Sequence, residues 1–433
     1  MKKSWKIISL LCVVTALAVC LSACSFFGED GLSAYEIAVQ NGFTGTEQEW
    51  LDSFYNETTI KETTNNFYVE GSGTDVSAAA NTGLKSVVSV YSYFTTTSTG
   101  GGIFFPQHPQ EINYSSAGAG VVYTLEEDGS AYVVTNYHVV YDADSDTSDK
   151  ISDEIYVFLY GMEYSQYGIP ATYVGGSMNY DVAVLRVDKS DIVKTAAEKG
   201  TLCAVNFGDS DNVAVGQTAI AIGNPEGEGI SVSSGIISVT SEDITMTAVD
   251  ESSTVTMRVI RTDTAINSGN SGGGLFDTQG KLIGIVNAKM KTEKAENIAY
   301  AIPANLVKAV ADNVVYFCSQ SSNKTVMRPT LGITLQLQSV STTLDSQGNI
   351  VVEEIMKVTE VSDSGAAKGA LQAGDAIESV TIRGVTTKVT KSYHVSEALL
   401  YARPGDTVTL DVTRNGETQK VEITLSESSF SAY

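Results

Sequence analysis

A serine set among glycines, a histidine behind an apolar run and an aspartate ahead of another are the residues whose types and spacing could do chemistry. The serine is Ser271 in GNSGGG, Gly269 to Gly274, where glycine lets the backbone turn tightly and bring its N–H groups close to a bound molecule. The histidine is His138 in TNYHVV, and the aspartate is Asp181 in NYDVAVLRV. A serine hydroxyl attacks a carbonyl when a base takes its proton, and an imidazole base needs a carboxylate to orient it. Singly, each has a plainer reading as a loop, a hydrogen-bonded structural histidine and a turn acid. Together, in the order His, Asp, Ser with separations of 43 and 90 residues, they supply base, orienter and nucleophile.

The segments that must position them are short β-branched runs broken by Gly, Asn, Asp and Ser between Leu84 and Pro303. They include VVSVYSYF, GAGVVYTL, AYVVTNY, EIYVFLY, DVAVLRV, TAIAIGN, KLIGIVNA and NIAYAIP. So many short strands suit two small packed barrels better than one sheet. A helix follows, with Pro303 expected as its first residue and Leu306, Val307, Val310 and Val314 at helical spacing up to Cys318. The polar stretch SQSSNKT at 319–325 reads as a linker. Beyond it lies a separate mixed unit with a Gly332 turn, a helix around Val395 to Ala402 and two closing strands. Ahead of the barrels, Ser33 with Glu36 and Thr46 with Glu49 have capping-box spacing and predict a helical hairpin over 28–54. Residues 55–80 read as a flexible linker, with a boundary near Asn81.

Composition removes several classes of function. The 433 residues suit about three domains, and with 42% hydrophobic and 18% charged residues the chain must fold. A net charge of −24 repels a phosphate backbone, so nucleic acid is excluded as a partner. Three histidines and five cysteines without a CxxC pair leave no zinc site of ordinary spacing. The acidic run DADSDTSD, Asp142 to Asp149, has Thr147 where a calcium loop needs its turn glycine, so it reads as a solvated loop and no metal is expected. Lys2, Lys3 and Lys6 precede the apolar run Ile7 to Leu21, which is a secretory signal. Of the cysteines beyond residue 24, Cys203 and Cys318 fall in different parts of the expected fold, so no disulfide is predicted.

The signal ends in LSAC, which resembles the lipobox of bacterial lipoproteins and implies that Cys24 is lipidated and becomes the first mature residue. From Leu84 to Cys318 the chain resembles a trypsin-like protease of the HtrA/DegP family. GAGVV, TNYHVV, DVAVLRV, FGDSDNVAVGQTAIAIGNPEG, SSGIISV, RTDTAINSGNSGGGLF, LIGIVNA and IAYAIP carry that resemblance. It implies a chymotrypsin-like double β-barrel and a serine endopeptidase acting on unfolded or misfolded exported proteins, without a cofactor. His138 would be the general base, Asp181 its orienter and Ser271 the nucleophile, with the amides of Gly269 and Ser271 as oxyanion hole. The family also implies a homotrimer. Ser268 and Gly274 stand where it usually has proline, and both changes are expected to loosen the loop. The specificity pocket is expected from loops near Ile266, Asn287 and Asn297.

Residues 326–428 resemble a PDZ domain through RPTLGI, GAAKGALQAGDAIESV and YARPGDTVTLDVTRNG. This implies that the loop Thr330, Leu331, Gly332 and Ile333 holds a peptide carboxylate through its amides while the next strand edge accepts the peptide as an added strand. The expected fold is mostly β, a chymotrypsin-like double barrel followed by a PDZ domain. The expected limits are 1–23 for the signal, 24–80 for the anchored hairpin and linker, 81–320 for the protease domain and 326–428 for the PDZ domain. The protein would sit in the cell envelope, lipid-anchored on the extracytoplasmic side of a bacterial membrane. The competing reading is a chaperone or peptide-binding scaffold with little proteolysis.

Overall fold

The computed structural model describes residues 75–98, 110–163, 165–250, 252–290, 298–319, 322–344, 348 and 350–433, with Val39, Thr44 and Thr46 ahead of them. The signal, Cys24, almost all of the 28–54 hairpin and most of 55–80 lie outside the described residues, as does Asn297. Helix α1 (Ser77–Leu84) starts inside the stretch read as linker. It is small-residue helix pressed onto the protein body: Ala79, Ala80 and Gly83 are buried, and a Cβ on Gly83 would come within 2.7 Å of Ile222 Cδ1.

Strands β1 (Val87–Ser98), β2 (Gln110–Leu125) and β3 (Ala131–Thr135) follow, then the one-turn helix α2 (Tyr137–Val140) and strands β4 (Glu154–Leu159), β5 (Ile169–Ser177) and β6 (Val182–Val187). They close a barrel in the order β1-β2-β3-β6-β5-β4. Val88, Val133 and Leu185 fill its interior. Helix α3 (Asp191–Glu198), capped by the Ser190 hydroxyl accepting from Val193 N–H, leads into the second barrel. There β7 (Thr218–Gly223), β8 (Ser231–Thr247), β9 (Thr254–Thr262), β10 (Gly274–Phe276), β11 (Leu282–Asn287) and β12 (Ala299–Pro303) close in the order β10-β11-β12-β9-β8-β7. Ile237, Ile260, Leu275 and Ile283 pack inside. Closure pairs each barrel strand on both sides over part of its length, which covers most of the edge that an open sheet would expose.

Helix α4 (Ala304–Cys318) comes next. Pro303 is its N-cap and the last residue of β12, with φ −57° and ψ 139°, and so precedes the helix where it was expected to begin it. Leu306, Val307, Val310 and Val314 are buried as their spacing predicts, but so are Ala309 and Asn313, because the helix is covered on further faces. The remaining elements are β13 (Met327–Pro329), β14 (Ile333–Leu344), β15 (Ile350–Val361), β16 (Ala376–Ile382), β17 (Val385–Lys388), α5 (Tyr393–Ala398), β18 (Thr407–Arg414), β19 (Glu417–Thr424) and β20 (Phe430–Ala432). They form a sheet β14-β15-β16-β18-β19 with β17 on β16, and a separate ribbon β13-β20 that carries this unit past residue 428.

This last unit is docked rather than strung on a linker. Asn313 of α4 donates its amide N–H groups to the carbonyls of Met327 and Leu400, 2.8 Å each, and accepts from Met327 N–H at 2.9 Å. Arg403 Nη2 donates to Asp312 O at 3.0 Å. Arg258 of β9, only 5% exposed, forms a fork onto Glu397 of α5 (Nε–Oε1 2.7 Å, Nη2–Oε2 2.8 Å), reaches Asp211 at 2.9 Å and stacks 3.9 Å over Tyr393. The last residues of the polar connector are tied down: Gly176 N–H donates to Lys324 O and Val326 N–H to Gly176 O.

Candidate active site

His138 lies on α2, directly after β3, and Asp181 occupies the turn before β6. Since β3 and β6 are neighbours, paired from Thr135↔Ala183 onward, the two residues meet. His138 Nδ1 is 2.7 Å from Asp181 Oδ2, and His138 backbone N–H donates to Oδ1 at 3.0 Å. A carboxylate accepts only, so the ring proton belongs on Nδ1 and Nε2 is left as the basic nitrogen. Asp181 is 2% exposed and has φ 48°, in the left-handed region that is uncommon outside glycine and carries some strain.

Two asparagines that sequence reasoning did not assign to this role hold the aspartate. Asn136 donates to Asp181 O at 2.8 Å and accepts from Gly272 N–H at 2.7 Å, so one side chain joins the aspartate turn to the serine loop. Asn287, at the start of a loop expected near the specificity pocket, donates to Asp181 Oδ2 at 2.6 Å and is 1% exposed. The available signal was an asparagine at the end of each of two apolar β-runs, a place where a buried amide must find partners.

Ser271 sits in the loop between β9 and β10, 5% exposed. Its carbonyl accepts from Ala119 N–H at 2.8 Å, which fastens the second barrel's loop to the first barrel. Gly269 and Gly272 have φ 88° and 84°, and a Cβ on either would lie 2.1 Å from a carbonyl oxygen, of Asn224 and Ala119 respectively. Ser268 O accepts from Glu226 N–H at 2.8 Å; in a trans peptide this points the Gly269 N–H the opposite way. Among the described residues neither Gly269 N–H nor Ser271 N–H has an acceptor. Ser271 Oγ accepts from Ala288 N–H at 3.1 Å, and no hydrogen bond joins it to His138 among the described residues. Gly274, expected to loosen the loop, is instead tightly packed at the start of β10, where a Cβ would lie 2.3 Å from the buried Phe276 ring.

In the last unit, Gly332 has φ 73° and its Cα faces Gly365 so closely that a Cβ would lie 2.4 Å away. Thr330 N–H is donated to Ser429 O at 2.8 Å, so of the four residues expected to offer amides, Thr330 is already engaged. Ser362 N–H donates to Gly332 O, which makes Ile333↔Val361 a non-hydrogen-bonded pair and turns Ile333 N–H toward the open edge of β14. His394 is half-buried on α5 beside Tyr393, where burial lowers its pKa.

The trypsin-like peptidase domain family matches residues 118–285, and the PDZ domain family matches 329–425. The chain is 33% identical over 378 residues to Serine protease Do-like HtrA of Lactococcus lactis subsp. cremoris (strain MG1363), covering 82% of this chain and 83% of that protein. It is 34% identical over 327 residues to Serine protease Do-like HtrA of Bacillus subtilis (strain 168), covering 72% and 64%. Among solved structures, HtrA-type protease AlgW with decapeptide aligns with 80% of this chain and 98% of its own at 26% identity and a TM-score of 0.48. With a double barrel, a His–Asp pair, a glycine-bounded serine and a docked PDZ unit on one chain, this protein belongs to the HtrA family of trypsin-like serine endopeptidases with a C-terminal PDZ domain.

Proposed function

We propose that the chain is an envelope-anchored endopeptidase that cleaves unfolded or misfolded exported proteins through Ser271, His138 and Asp181. The observation that carries this reading is the 2.7 Å contact of His138 Nδ1 with a buried Asp181, beside a serine loop whose Gly269 and Ser271 N–H groups have no acceptor among the described residues. His138 Nε2 takes the proton of Ser271 Oγ as the oxygen attacks the peptide carbonyl, and Asp181 stabilises the resulting imidazolium. The new oxyanion meets the two N–H groups; one such donor contributes on the order of 3 kcal/mol in serine proteases. The imidazolium then protonates the leaving amine, and water repeats the sequence on the acyl-enzyme. Nothing in this cycle requires a cofactor.

Lipidation at Cys24 would hold the enzyme on the outer side of the membrane, two acyl chains giving a stable anchor. The name of a relative, probable periplasmic serine endoprotease DegP-like of Brucella suis, supports an extracytoplasmic site. The turn at Leu331 to Ile333 would take a peptide's terminal carboxylate, and assembly as a homotrimer belongs to the same reading. A second reading, a chaperone with little proteolysis, is favoured by one contact: Ser271 Oγ rests on Ala288 N–H and not on His138. In the protease reading that contact is a resting pose, which substrate replaces by turning the hydroxyl toward Nε2. Casein degradation decides. Loss of cleavage in Ser271→Ala supports the protease, and slow wild-type cleavage that Ser271→Ala leaves unchanged supports the chaperone.

A further inference from the structure

The turn that carries Asp181 is covered on one side by residues from the two ends of the PDZ unit. Residues 324–326 run beside the end of β5: Gly176 N–H donates to Lys324 O at 2.9 Å, Val326 N–H to Gly176 O at 3.2 Å, and Tyr173 hydroxyl to Lys324 O at 3.2 Å. Next along that segment, Arg328 Nη1 donates to the Tyr180 hydroxyl at 3.3 Å. The same guanidinium lies 3.6 Å over the Tyr433 ring, and the Tyr433 ring packs 5.2 Å from that of Tyr180. Tyr433 is itself held, its N–H donating to Val326 O and its carbonyl accepting from the Thr325 hydroxyl, where β13 and β20 pair.

Tyr180 immediately precedes Asp181, whose φ of 48° is one of five positive values at non-glycine positions among the described residues. A left-handed backbone at a residue other than glycine carries a cost that the surrounding contacts must offset. Asn136 and Asn287 hold Asp181 from within the barrels. On the outer side, Arg328 and Tyr433 hold the ring of Tyr180, the neighbour of Asp181 in the chain. We infer that Arg328 is a positioning residue for catalysis: acting through Tyr180, it keeps Asp181 aimed at His138, so that the PDZ unit completes the protease site in the same chain. This rests on the triad reading above.

The test uses the full-length enzyme and a chromogenic peptide too short to engage the PDZ groove, so that loss of client capture does not enter. Arg328→Ala and Tyr180→Phe should each lower kcat by about three- to tenfold with KM within about twofold, since only the orientation of the base is disturbed. The double variant should be no slower than the slower single one, because both changes break the same contact. Arg328→Lys, which keeps a donor near the phenol, should recover part of the loss. Tyr180→Phe removes one oxygen and preserves the packed ring, so it serves if Arg328→Ala does not fold. Wild-type kcat in both single variants, or losses that multiply in the double variant, would overturn the inference while the triad stood. Activity surviving Ser271→Ala would remove the triad itself, a separate outcome.

Discussion

Asn287 Nδ2 and His138 Nδ1 converge on one oxygen, Asp181 Oδ2, at 2.6 and 2.7 Å. A buried carboxylate with two donors on one oxygen is fixed in rotation. Asn287→Leu keeps the volume and removes the donor. A hydrogen bond to a charged group contributes about 1.5–3 kcal/mol, so kcat should fall about ten- to a hundredfold with little change in KM. Steady-state kinetics on a short peptide check this; an unchanged kcat would make Asn287 a packing residue only.

Asp181→Asn should slow turnover on the order of ten-thousandfold, since the amide stabilises the wrong imidazole tautomer. The substitution is unusually clean here. Asparagine tolerates the left-handed region better than most residues, so the φ of 48° need not relax. The loss of stability should therefore be confined to the altered hydrogen bonds with Asn287 and His138, about 1–3 kcal/mol. A large drop in Tm would mean that the lost activity reports misfolding.

Gly274→Ala places a methyl 2.3 Å from Phe276 Cε2, a ring with no exposed surface. Overpacking of this kind costs about 1–3 kcal/mol. Chemical denaturation should show that loss, and Phe276→Leu in the same chain should restore part of it by vacating the space. If the double variant is no better than Gly274→Ala alone, the clash lies elsewhere.

Burial raises Glu397 to about 7 against the pull of Arg258. A carboxyl whose folded pKa exceeds its unfolded value binds its proton more tightly in the folded state. Between about 7 and the ordinary value of 4.5, docking therefore gains stability as pH falls and loses it as pH rises. Glu397→Gln abolishes that titration. From pH 8 to pH 4.5 the wild type should gain on the order of 3 kcal/mol relative to the variant, measured as the change in the stability difference between them. A difference that stays constant over this range sinks the assignment.

Local pattern revealed the parts of this protein that are local. The loop around Ser271, the β-run ending at His138 and the strand after Asp181 each announce themselves within about ten residues, and their neighbours in the barrels bring two of the three into direct contact. What pattern missed lies in pairings across long stretches of chain. Arg258 and Glu397 are 139 residues apart, and Asn287 is 106 from Asp181, so no periodicity links them. Residues 319–325 are polar and read as a spacer, yet Lys324 and Thr325 are bonded in place, because backbone groups pair regardless of how hydrophilic their side chains are. Gly274 misled for a related reason: its use is to admit Phe276, a contact invisible without the packing around it.

Arg258, Asn313 and Arg403 bolt the PDZ unit to the protease barrels. The separation of the Gly332 turn from Ser271 is thus a property of the fold and not of a stretching tether. If a client is gripped at that turn by its terminal carboxylate, as proposed, it must span a set gap before any bond of it enters the cleft. The enzyme would then act as a ruler, and the shortest tail fragments it releases from different clients would share one minimum length.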